Sequence, residues 1–143
     1  MNWDLSGDRP IWLQLVEQLR LGIVTGAYQA GERLPSVREL AAEAAVNPNT
    51  MQRALTELEG SGLLYAQRTS GRFVTQDETL IREAGRQMAR EETGRFLARM
   101  ENLGFAGEEI LQFVHHQVEQ QSKGGSKNGS RSEEHTSELQ SQS

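Results

Sequence analysis

Residues 36–59, SVRELAAEAAVNPNTMQRALTELE, decide the fold because they contain two helix start signals a short distance apart. Ser36 and, three residues later, Glu39 form the pattern of a capping box, which predicts the start of one helix. Asn47 is a favoured N-cap and Pro48 a favoured first helical residue, so a second helix is predicted from Pro48 to about Glu59. Two short helices joined by so tight a turn predict a helix-turn-helix.

The flanking segments complete a small domain. Upstream, apolar residues recur every four positions between Pro10 and Thr25, which predicts a helix with one buried stripe: Ile11, Leu15, Leu19 and Ile23. Downstream, residues 63–75 have the pattern of two short strands around Thr69-Ser70-Gly71, a β-hairpin. The sequence therefore predicts a winged helix-turn-helix over residues 9–75, in a protein that is mostly α with a small β-hairpin.

The C-terminal part is predicted to form a helical hairpin over residues 77–121, with helices at about 77–103 and 107–121. Two amphipathic helices cannot bury both apolar faces alone, so we expect a dimerisation element with six interface residues: Ile81, Met88, Phe96, Ile110, Phe113 and Val114. Residues 122–143 are polar and are predicted to be a disordered tail. Residues 131–141 match the translation of a sequencing-library adaptor, and we interpret them as read-through without function.

Composition excludes several classes of protein. No cysteine is present, which excludes disulfides and thiolate metal sites, and no apolar window is long enough to span a membrane. The N-terminus lacks the pattern of a secretory signal, so a cytoplasmic protein is expected. His115 and His116 are adjacent and cannot form an i, i+4 metal pair. No catalytic constellation stands out, so the sequence predicts neither an enzyme nor a cofactor.

The net charge of −5 is the main objection to nucleic-acid binding. The acidity is unevenly distributed, because residues 1–75 hold seven arginines against eight acids whereas residues 76–121 hold five against nine. The predicted winged domain is thus close to neutral and could carry a local positive face. A winged-helix module that binds a protein instead of DNA remains the alternative that the charge favours.

The start of the second helix of the pair points into the DNA major groove in helix-turn-helix proteins. Asn49 and Gln52 lie there, and their paired donor and acceptor groups suit adenine. Thr50 and free backbone N–H groups at this helix start suit a phosphate, with Asn47 beside them. Asn47 and Thr50 could instead be capping residues only. Arg53 could contact DNA or be a surface residue paired with Glu57.

A set of short motifs is spread over the whole winged domain: residues 10–15 (PIWLQL), Gly26, Gly31, residues 34–36 (LPS), Arg38, residues 40–41 (LA), residues 46–50 (VNPNT), Ala54, residues 58–59 (LE) and residues 62–63 (GL). In these motifs the domain resembles the GntR family of regulators, in the short YtrA-type subfamily. The resemblance implies a cytoplasmic repressor that dimerises through its C-terminal helices and binds a palindromic double-stranded DNA operator, in a subfamily often encoded beside transporter operons. The 46 residues from Gln76 to Gln121 are too few for the large effector domains of other subfamilies, and the sequence identifies no effector.

The remaining candidate DNA contacts lie on both sides of the helix pair. Arg38 matches a family arginine that contacts backbone phosphate, although it could be an exposed arginine beside Glu39 or Glu43. Ser36 is primarily a cap, with phosphate contact second. In the wing, four residues could enter the minor groove: Arg68, Thr69, Gly71 and Arg72. Gly71 could equally be needed only for the positive φ of a hairpin turn.

Overall fold

The computed structural model describes residues 1–125 and confirms the predicted fold class. Within this range the chain forms five helices and one β-hairpin, and the predicted elements occur in the predicted order. Their bounds are α1 Ile11–Val24, α2 Val37–Ala44, α3 Pro48–Gly60, β1 Leu64–Gln67, β2 Gly71–Val74, α4 Glu78–Asn102 and α5 Gly107–Gly125. None of these helices is both long enough and apolar enough to cross a membrane.

The chain divides into two units, residues 1–91 and a second unit beginning at Glu92. The first unit holds the main core, where α1, α2 and α3 bury their apolar stripes against each other and against the hairpin. The fully buried large side chains are Leu15, Leu19, Leu40, Met51, Leu55, Leu58, Leu64 and Val74. Burial of a side chain of this size contributes roughly 1.5–3 kcal/mol, so these residues fix the orientation of α3.

Both predicted helix starts are present. The Ser36 hydroxyl accepts a hydrogen bond from the Glu39 N–H at 3.1 Å, and the Glu39 carboxylate accepts one from the Ser36 N–H at 2.8 Å. Helix α2 ends at Ala44, and its C-cap Ala45 adopts the left-handed conformation with φ 58°. The chain then turns at once into α3, whose N-cap Asn47 accepts a hydrogen bond from the Asn49 N–H at 2.7 Å.

A third segment, which was not predicted, pairs with the two strands of the wing. Strands β1 and β2 pair antiparallel from Leu64 opposite Val74 to Gln67 opposite Gly71. The segment 31–34 pairs along the other side of β2, where the Leu34 N–H donates to the Arg72 carbonyl and the Val74 N–H donates to the Glu32 carbonyl, both at 2.9 Å. The connector between α1 and α2 therefore supports the hairpin along its length.

The N-terminal segment packs onto α1, so the first unit begins before the predicted boundary at residue 9. The buried Gln14 amide donates to the Ser6 carbonyl at 2.8 Å, and its oxygen accepts from the Ser6 N–H at 2.8 Å. One turn along, Gln18 makes the same pair of bonds with Asp4, at 2.6 and 3.2 Å. Each glutamine amide thus pairs with both the N–H and the carbonyl of one residue in the N-terminal segment, as the backbone of a neighbouring strand would. Trp3 and Leu5 of the same segment pack against the core.

The second unit contains the end of α4 and all of α5. Ile110 is 2% exposed, and the Phe105 and Phe113 rings meet edge to face with centroids 5.0 Å apart. Helix α5 continues to Gly125, so residues 122–125 are helical, which corrects the predicted start of a disordered tail at residue 122. The rest of that predicted tail, with the adaptor-like residues 131–141, lies outside the described residues.

Candidate nucleic-acid interface

Helix α3 presents one exposed polar stripe opposite its buried face. Asn49, Gln52 and Thr56 lie on this stripe at i, i+3 and i+7, and all three are exposed. The Gln52 amide lies 3.4 Å from the Thr56 hydroxyl, and no partner for the Asn49 side chain is found among residues 1–125. The predicted pair Asn49 and Gln52 is thus brought together on one surface. Thr56 was not predicted, although its helical spacing from Asn49 and Gln52 could have indicated it.

The start of α3 offers no unused backbone N–H, contrary to expectation. Pro48 has none, and the Asn49 N–H donates to the Asn47 side-chain oxygen. The Thr50 and Met51 N–H groups both donate to the Asn47 carbonyl, at 3.0 and 3.1 Å. Asn47 therefore acts as the cap, as its alternative interpretation proposed. A phosphate at this end would have to be bound by side chains.

Arg53 stacks on an aromatic ring. Its guanidinium carbon lies 3.9 Å from the centroid of the Trp12 ring, a cation–π geometry that joins α3 to α1. Trp12 is half-buried and packs against the core, so it holds the arginine in place. Arg53 contacts Trp12 and not Glu57, the partner that the alternative interpretation expected. The exposed guanidinium remains beside the polar stripe.

The predicted wing residues fall into two groups. Arg68 and Thr69 lie in the exposed turn between β1 and β2. Arg72, by contrast, donates from Nε to the Glu59 carboxylate at 2.6 Å, and the two side chains are only 18% and 27% exposed. Its charge is therefore compensated inside the domain. Gly71 has φ +102°, as the turn interpretation expected.

Arg33 is a residue of this surface that the sequence did not predict. It is exposed, and its Nε donates to the Ser70 carbonyl at the tip of the wing, at 2.6 Å. Arg33 lies in the connector before α2, far from the wing in sequence. Its position beside the wing could not be predicted, because the pairing of residues 31–34 with β2 is a tertiary contact. Ser36 and Arg38 are also exposed, at the start of α2, where Ser36 is the cap.

The residues predicted at a dimer interface lie in different surroundings. Ile81 packs against the core of its own winged domain, and Ile110 is buried within the second unit. Met88 and Phe96 are half-buried, whereas Phe113 and Val114 are exposed. Four further large apolar side chains of the C-terminal helices are exposed and were not predicted: Leu97, Leu103, Leu111 and Val118.

The described residues hold no cluster of three His, Asp or Glu side chains that could bind a metal ion. His115 instead lies 3.2 Å from the Glu119 carboxylate, one turn along α5. The polar surface built by α3, the start of α2 and the wing thus offers amide, hydroxyl and guanidinium groups. These are the groups with which proteins bind base edges and phosphates.

Residues 12–74 match the model of the gntR family of bacterial regulatory proteins. The chain is 34% identical over 114 residues to the uncharacterised HTH-type transcriptional regulator YhcF of Bacillus subtilis, covering 80% of this chain and 94% of the relative. The chain belongs to the GntR family. The HTH-type transcriptional repressor YtrA of the same organism is 29% identical over 126 residues, covering 87% of this chain and 96% of the repressor.

A solved GntR family regulator from Listeria monocytogenes has the same fold, with a TM-score of 0.73 and 38% identity. That match covers 78% of this chain and 98% of the solved one. Near-full coverage of such short relatives confirms the YtrA-type resemblance. This GntR protein is a DNA-binding transcriptional regulator and not an enzyme, since those are the properties of the family.

Proposed function

We propose that this GntR protein is a cytoplasmic repressor that binds a palindromic operator as a homodimer. The observation that carries the proposal is the exposed stripe Asn49, Gln52 and Thr56, on a helix whose opposite face is fixed in the core. Because these side chains are exposed, they add little to the stability of a helix that its buried face already holds in place. Their amide and hydroxyl groups are of the kind that recognises base edges.

In this proposal the start of α3 enters the major groove. Asn49 and Gln52 each present a donor and an acceptor in one plane, the arrangement that pairs with adenine N6 and N7. A bidentate contact of this kind discriminates between bases by about 1–3 kcal/mol. Arg53, held on Trp12, lies beside the stripe as a preset cation, and Thr50 and the cap residue Asn47 flank the helix start.

Phosphate contacts on either side would set the register of α3. Arg38 and Ser36 stand exposed at the start of α2, and Arg68, Thr69 and Gly71 form the exposed tip of the wing. We leave Arg72 out of the DNA contacts because its guanidinium is bound to Glu59. The contacts are few for one subunit, so two subunits are needed for firm binding.

The second copy is proposed to pair through the C-terminal helices. Leu111, Val114 and Val118 form a stripe along α5, and with Phe113 they are all exposed in the single chain. Apolar stripes of this kind are typical of protein interfaces. A twofold dimer matches a palindromic site, because each subunit then meets the same half-site.

Repression is proposed from the relative YtrA, which is named a repressor and matches most of this chain. The resemblance to the YtrA-type subfamily further suggests a transporter operon as the regulated target. The structure provides no large domain for an effector within the described residues, so no effector is proposed.

Binding of the full chain to its own upstream promoter DNA, measured as a salt series, tests the proposal. We expect tight binding to the promoter over unrelated DNA of equal length, with affinity that falls steeply as salt rises. The double variant Asn49→Ala, Gln52→Ala should lose the preference while keeping the wild-type melting temperature. Glu57→Ala is the matched control on the same helix. Equal affinity for promoter and unrelated DNA at every salt concentration would refute specific operator binding.

A further inference from the structure

The tip of the wing is held by an arginine from outside the hairpin. Arg33 lies in the connector between α1 and α2, opposite Phe73 of β2. Its Nε donates to the carbonyl of Ser70, in the turn, at 2.6 Å. One nitrogen of the guanidinium is thereby committed to the backbone of the turn, which fixes where the rest of the group lies.

Gly71 allows this arrangement. A Cβ atom at Gly71 would lie 3.2 Å from Nε and 3.4 Å from Nη2 of Arg33, so the guanidinium rests directly against the glycine backbone. The positive φ of +102° also favours glycine at this position. Gly71 thus serves the turn and leaves room for Arg33 at the same time.

The two terminal nitrogens of Arg33 have no acceptor among residues 1–125, and the side chain forms no ion pair there. Arg72, on the adjacent strand, differs because Glu59 compensates its charge. Arg33 is therefore an exposed cation whose orientation is set by one hydrogen bond and a backbone contact. An arginine fixed in this way loses little further conformational entropy when it binds a phosphate.

We propose that Arg33 binds a backbone phosphate at the edge of the minor groove into which the wing tip enters. The proposal rests on DNA binding by the winged domain and adds a residue to the wing's contacts. Nε stays on Ser70 while the terminal N–H groups donate to the phosphate oxygens. The contact positions the wing without selecting a base, since phosphate contacts carry no direct sequence information.

A purely structural role, in which Arg33 only holds the turn, makes a different prediction. Loss of the Ser70 bond would then weaken DNA binding through a looser wing, but the number of neutralised phosphates would stay the same. The salt dependence separates the two roles, because each phosphate contact contributes about 0.9 to the slope of log K against log salt. A change in the slope reports the contact itself.

The first test compares wild type, Arg33→Gln and Arg33→Lys on the upstream promoter and on unrelated DNA. Arg90→Gln is the control, since it removes the same charge from an exposed pair with Glu83 on α4. We expect Arg33→Gln to reduce the magnitude of the slope of log K against log salt by about 0.9 for each subunit bound, equally on both DNAs. Arg33→Lys should keep a slope close to that of wild type. A wild-type slope in a folded Arg33→Gln protein would overturn the proposal.

A second test does not depend on the folding of the glutamine variant. Single operator phosphates are replaced by neutral methylphosphonates, and binding by wild type and by Arg33→Lys is compared. At one flanking phosphate, neutralisation should weaken wild-type binding clearly more than binding by the lysine variant. The same response of both proteins at every phosphate would overturn the contact. Failure of operator specificity alone would appear instead as equal wild-type affinity for promoter and unrelated DNA.

Discussion

Arg72 in strand β2 donates a 2.6 Å hydrogen bond from Nε to the carboxylate of Glu59 in the last turn of α3. Both side chains are mostly covered, which weakens screening by solvent and makes the ion pair stronger than one on the open surface. The pair links α3 to the wing, so that the two elements proposed to bind DNA are held to each other by charge as well as by the core.

Glu59→Gln should lower the free energy of unfolding by about 1–2 kcal/mol, because it replaces a charge-assisted hydrogen bond with a neutral one in a partly covered site. Urea unfolding of the full chain measures the loss. Arg72→Gln should cost a similar amount, and the double variant should cost less than the two single losses together. Additive losses would show that the two side chains do not stabilise each other.

Arg53→Lys should destabilise the winged domain by about 0.5–1 kcal/mol, since an ammonium group does not stack on the Trp12 ring as a planar guanidinium does. Thermal and urea unfolding measure the change. Glu57→Gln is the control, because Glu57 is the other neighbour that Arg53 could have paired with. A loss from Glu57→Gln as large as that from Arg53→Lys would contradict the stacking contact.

Tyr28 should make stability depend on alkaline pH. Burial raises the pKa of the Tyr28 phenol above its usual value, and the charges of Glu43 and Glu32 raise it further. An unfolded tyrosine loses its proton near pH 10, below the folded pKa, so the contribution is complete below about pH 10 and is lost as the pH rises through the folded pKa. The free energy of unfolding between pH 8 and 11 should therefore fall more steeply for wild type than for Tyr28→Phe. Tyr65→Phe, which leaves Tyr28 in place, is the control, and parallel curves for wild type and Tyr28→Phe would exclude this origin.

Leu111→Asp or Val114→Asp should convert the proposed dimer to monomer. Each change places a charge in an interface that the twofold axis repeats, so dimer affinity should fall at least about a hundredfold. Light scattering at tens of micromolar protein measures the mass. Gln112→Asp adds the same charge on the opposite face of α5 and should remain dimeric. A wild-type monomer at that concentration would remove the interface from the proposal.

The winged domain could be predicted closely from sequence because its signals are local. The capping box at Ser36 and the Asn47-Pro48 start lie within a few residues of the helices that they begin, and the structure contains both. The stripe with Asn49 and Gln52 follows from helical periodicity once Pro48 marks the first residue of α3. Fold class and the candidate recognition residues thus depend on contacts between near neighbours.

The features that the sequence did not predict depend on contacts between distant residues. Arg33 reaches Ser70 across 37 positions, and Trp3 donates to Glu43 across 40. The hydrogen bonds between Gln14 and Ser6 span only eight positions, but no sequence pattern marks a glutamine in a helical stripe as a partner of the backbone. The partners of Arg53 and Arg72 also lie on other elements, Trp12 on α1 and Glu59 on α3. The sequence therefore did not show that these two arginines are held by contacts within the domain.

The cap on α3 has a consequence for how such proteins diverge. Pro48 has no N–H group, and the N–H groups that follow it all donate to Asn47, so the backbone at this helix start keeps no unused donor. What α3 offers to a base therefore comes from exposed side chains, which add nothing to the core beneath them. In the proposed binding mode, duplicated copies of the gene could acquire new operators by exchanging Asn49, Gln52 or Thr56 alone, at almost no cost to folding.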